Sequence, residues 1–95
     1  MSHHEEGQEA FWERADEVIT LANQQSETAD NDEVNASLLY ATARFNAFLV
    51  AASADTAEEL KAGKETAVAY FTEQYRNQLI EHLDEYIENF DEYNA

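Results

Sequence analysis

The sequence predicts an all-α fold, a three-helix up-down-up bundle with a long third helix that dimerises. Three observations predict it. Helix breakers are almost absent, with no proline and only Gly7 and Gly63 as glycines in 95 residues. Apolar residues recur at helical spacing in three segments, and no segment shows the two-residue alternation of a strand. Two short clusters of turn and cap formers, "SETADNDE" and "SADTAEE", separate those segments. The length fits one domain, near the lower end of what buries a workable core alone. A hydrophobic content of 44% and an aromatic content of 12% set the chain apart from disordered sequences.

The first helix is expected over residues 9–25. Phe11, Ala15, Val18 and Ala22 fall at i, i+4, i+7 and i+11, and Trp12 and Ile19 extend the stripe. Glu13, Asp16, Glu17 and Gln24 occupy the opposite face. Residues 1–8, "MSHHEEGQ", read as a disordered acidic tail carrying His3 and His4, ahead of a single helical domain over 9–95. Asp30 with Glu33 has the spacing of a capping box, so the second helix should begin near Asn31 and run to about Ala52. Asp55 with Glu58 repeats that spacing, and the third helix should run over 56–93, with no strong stop until Asn94. Gly63 costs about 1 kcal/mol relative to alanine inside a helix, which weakens the segment without breaking it.

The stretch "SLLYATARFNAFLVAAS" is apolar except for small hydroxyls, Arg44 and Asn46. Its length invites a membrane reading. Arg44 opposes that reading, because an arginine at the centre of a span costs at least about 2.5 kcal/mol on insertion scales. A central helix buried on more than one face fits better. Leu38, Tyr40, Phe45, Phe48, Leu49 and Val50 lie around its circumference, and Ala36, Ala41, Ala43, Ala47 and Ala51 allow close approach. Arg44 then sits at the bundle edge, paired with an acid from a neighbouring helix. The functional alternative is an anion site, since Arg14, Arg44 and Arg76 supply one arginine per predicted helix.

Helix lengths point to association. At 1.5 Å per residue the first two helices span about 25 to 33 Å and the third about 55 Å. From about Asn77 onward the third helix therefore has nothing within the chain to pack on. That overhang carries an apolar stripe of Leu79, Ile80, Leu83, Tyr86, Ile87, Phe90 and Tyr93, with an acidic stripe of Glu81, Asp84, Glu85, Glu88, Asp91 and Glu92. Exposed apolar stripes of this length mark interfaces, and twofold homodimers are the commonest oligomers.

Charge narrows the partners. Twenty-one acids against five bases give a formal charge of -16. Phosphate-directed nucleic-acid binding needs the opposite sign, as does binding to anionic membrane surfaces. A solvated acidic surface, a salt-adapted cytoplasm or a basic protein partner remain.

Catalytic constellations are lacking. The chain has no cysteine, no nucleophile-elbow motif and no glycine-rich phosphate loop. Di-iron bundles use Glu-x-x-His on two helices, whereas His82 with Glu85 has the reversed order. A homodimer would bring a second His82, but a rim residue beside Leu79 and Tyr86 is the simpler role. Tyr40, Tyr70, Tyr75, Tyr86 and Tyr93 read as core and interface aromatics with polar tips. No catalytic, cofactor or metal residue is assigned, and an enzyme is not expected.

At "ERADEVITLAN", "ASLLYATARFNAFLVAAS" and "YFTEQYRNQLIEHLDEYIENFD" the sequence resembles a family of small, all-helical proteobacterial proteins, a domain of unknown function. The resemblance covers residues 11–93. It implies a bacterial, cytoplasmic protein and no particular activity. Three functions are carried forward: a homo-oligomeric helical module, an acidic adaptor or nucleic-acid mimic that docks a basic protein, and a small-anion or metal binder.

Overall fold

A computed structural model describes residues 3–93 of the chain, with side chains described for residues 8–92. Four helices follow one another: α1 (His3–Gln25), α2 (Asn31–Ser53), α3 (Ala57–Glu88) and the single-turn α4 (Phe90–Tyr93). The fold is all-helical with three main helices, and no strand occurs among the described residues.

The start of α1 differs from expectation. The helix begins at His3, where the sequence suggested an irregular tail through residue 8. One glycine, Gly7, in a helix lacking proline lowers stability without ending the helix. At its other end α1 tightens before stopping. The Ser26 N–H and hydroxyl both donate to the Ala22 carbonyl, at 3.0 and 3.1 Å. The N–H groups of Glu27 and Thr28 then donate three residues back, to Gln24 and Gln25, which closes a 3₁₀-type turn.

The second helix begins where the sequence places it, at Asn31, with the Val34 N–H donating to the Asp30 carbonyl at 3.0 Å. The third starts one residue later than the Asp55–Glu58 spacing implied. Thr56 is its N-cap, with φ -139° and ψ 158°, and its hydroxyl accepts from the Glu59 N–H. A second correction lies at the far end. α3 passes unbroken through Gly63 but stops at Glu88, because Asn89 leaves helical geometry at φ -109° and ψ 29°. Both the backbone N–H and the side-chain Nδ2 of Asn89 donate to the Glu85 carbonyl, at 3.0 and 3.1 Å. Asparagine can satisfy a terminal carbonyl with its own amide, which favours a stop at this position.

The chain divides into two units, Met1–Phe45 and Asn46–Ala95, with the division falling inside α2. In the first unit, α1 and α2 meet beside their connecting turn. Val34, 6% exposed, is the one buried residue among those described. Next to it, Val18, Leu21, Ala22 and Gln25 of α1 line a cleft of about 80 Å³ with Ser37 and Leu38 of α2. In the second unit the half-buried positions up to Phe71 are spaced helically, Asn46, Val50 and Ala54 first and then Leu60, Gly63, Ala67 and Phe71. A three-residue connection, 54–56, separates the two runs.

The expectation that α2 is buried on more than one face does not hold for the single chain. Tyr40, Phe45 and Phe48 are 71%, 61% and 64% exposed. Large apolar side chains all round a helix need neighbours on every side, and one copy of the chain does not supply them.

Candidate interaction surface on the third helix

The distal half of α3 carries the expected apolar stripe. Leu79, Leu83 and Tyr86 recur at spacings of four and three residues, and Ile80 and Ile87 broaden the same face. Phe90, the first residue of α4, continues the sequence spacing beyond the Asn89 break. All six are exposed, from 41% at Ile80 to 70% at Ile87. Tyr93, expected to end the stripe, lies outside the residues whose side chains are described.

The acids are not simply alongside. At 100° per residue Glu81, Glu85 and Glu88 fall on the side of α3 roughly opposite Leu79 and Leu83. Asp84 lies between the two faces, and Asp91 and Glu92 belong to α4. All six acids are exposed. The helix is thus amphipathic across its distal half, with an apolar strip on one side and carboxylates on the other.

Arg14, Arg44 and Arg76 are exposed on three different helices, the first two in one unit and Arg76 in the other. None of them forms an ion pair among the described residues, the expected pairing of Arg44 with an acid included. His82 is exposed on α3, and no group of three or more metal-ligating side chains occurs among the described residues. A shallow groove on α1, lined by residues such as Glu13, Asp16 and Glu17, is that helix's own solvent face. Among the described residues no helix is long and apolar enough to cross a membrane.

Sequence reasoning missed Asn89 and the local order it imposes. The signal was present, since asparagine is frequent where helices end.

The architecture is that of a small all-helical protein whose most distinctive surface is an apolar strip on one long helix. The chain belongs to the DUF3144 family, described as a protein of unknown function, whose model matches residues 11–87. It is also similar to the protein NB7890A from Shewanella sp., whose structure was determined by NMR. The two sequences are 40% identical, the match covers 90% of this chain and 91% of that one, and the TM-score is 0.77. No curated protein matches the chain in sequence.

Proposed function

We propose that the protein is a non-enzymatic, homo-oligomeric helical module, with its three main helices in up-down-up order and the distal half of α3 forming a dimer contact. The observation that carries this reading is the exposed strip from Leu79 to Phe90. Leaving such side chains about half exposed forgoes on the order of 1 kcal/mol each. Helix length supports it independently. α2 has 23 residues and α3 has 32, about 34 and 48 Å. A helix running back along α2 reaches the start of α2 near Leu79, and the strip continues beyond. The proposal includes a cytoplasmic setting, supported by the absence, among the described residues, of any helix long and apolar enough to cross a membrane.

Absolute mass by light scattering, at low and high salt, tests the proposal. A mass twice the 10.8 kDa of the chain is expected. The dimer should hold or tighten in high salt, because screening relieves repulsion between two chains that each carry -16. A monomer at both salt concentrations would sink the proposal.

A second reading has its own support in the position of the acids. Because Glu81, Glu85 and Glu88 lie away from the apolar strip, a dimer would present them to solvent, where a basic protein could dock. Recovery of a defined complex with a basic protein, lost on neutralising these three residues, is the expected result for that reading.

A further inference from the structure

Resting on the homo-oligomeric reading, we propose that the partner at this surface is a second copy of α3 running antiparallel, about a twofold axis that crosses between Asp84 and Glu85. The strip itself supplies the first argument. Leu79, Leu83, Tyr86 and Phe90 are spaced four, three and four residues apart, a pattern that reads the same in both directions. Reversing one copy about the midpoint sets Leu79 opposite the partner's Phe90 and Leu83 opposite the partner's Tyr86. These four positions then meet one another, as an isologous contact requires. Ile87 meets the partner's His82 in the same register, which gives the exposed imidazole a neighbour at the rim.

Charge supplies the second argument and sets the direction. Arg76 is the sole lysine or arginine between residues 65 and 95, and it stands three residues before Leu79. Asp91 and Glu92 stand at the other end of the strip, just after Phe90. The antiparallel pairing carries Arg76 to the acidic end of the partner. A parallel pairing would set arginine beside arginine and these acids beside their own copies. The helix dipoles favour the same choice. Glu81, Glu85 and Glu88, on the opposite side of α3, remain in water, so the contact does not have to bury them.

The absence of native cysteine allows a direct test in the full chain. Leu79→Cys and Phe90→Cys chains are made separately, mixed under reducing conditions, allowed to exchange and then oxidised. Mass spectrometry separates the mixed disulfide from the two like-paired products. Circular dichroism before oxidation verifies that both variants remain helical, and light scattering on the unoxidised mixture gives the oligomeric state. The expected result is a dimer mass with the mixed disulfide exceeding the two like-paired products together by roughly ten-fold, because antiparallel pairing leaves like positions about 16 Å apart along the axis. A dimer mass with like-paired products dominant, or with no disulfide, would overturn this pairing while leaving the homo-oligomeric reading in place. A monomer mass would overturn both.

Discussion

Thr56 and Glu59 fasten the start of α3 to each other: the Glu59 N–H donates to Thr56 Oγ1 at 3.1 Å, one residue along from the pair that the sequence suggested. Glu59 also reaches back, its Oε2 accepting from the Asp55 N–H at 2.9 Å. Two of the donors at this helix start are thereby satisfied by one reciprocal arrangement. Removing the hydroxyl in Thr56→Ala should cost about 1 kcal/mol of stability in urea unfolding. Asp55→Ala should be close to neutral, since Asp55 contributes its backbone and not its carboxylate to this arrangement. Equal losses for the two substitutions would contradict this assignment of the cap.

Gly63 lies inside α3 with nothing within 4 Å of the position that a Cβ would occupy. Its φ is not positive, so alanine fits the backbone as it stands. Gly63→Ala should raise stability by about 1 kcal/mol through helix propensity and a less flexible unfolded chain. Urea unfolding at matched protein concentration measures it, and a loss of stability would point to a close neighbour at this position in the oligomer.

Asn89 separates α3 from α4 by turning its own amide to the Glu85 carbonyl. Asn89→Ala removes that competing donor and adds a stronger helix former. The expected outcome is one helix continuing through residue 93, seen as helical Cα chemical shifts at residues 88–91. Retention of the break would place its cause in tertiary contacts.

In the proposed dimer the strip at Leu83 carries the association. Leu83→Glu places a carboxylate in the middle of the proposed contact, where burial without a partner is costly. The dimer should weaken by roughly 100-fold, measured by sedimentation, while α3 stays helical because glutamate is a good helix former. An unchanged dissociation constant would move the interface elsewhere.

Much of this architecture was legible from residue order. The scarcity of glycine and proline identified long helices, and Asp30 located the start of α2 correctly. Overlap defeated the reading at α3, because Asp55 precedes Glu58 by the same three residues that separate Thr56 from Glu59. Only the extended backbone at Thr56 decides between them. Burial was harder to read. Periodicity identifies an apolar face without saying which chain covers it, and so Phe45 and Phe48 of α2 seemed internal. The strip from Leu79 to Phe90 was visible as spacing, whereas the position of the acids around the helix, on the side opposite the apolar strip, was read less accurately.

Val34 has one more implication, for the order in which the chain opens. A protein that shields many side chains exchanges its slowest amide hydrogens only through global unfolding, so those amides share one limiting rate. With Val34, one turn into α2, the one shielded side chain among the described residues, a lone copy has little to make its helices open together. Its exchange rates should instead form a gradient, slowest around Val34 and fastest towards both ends. In assembled protein the distal amides of α3 should slow with rising concentration, so that exchange measured along one helix would record how much of the population is paired.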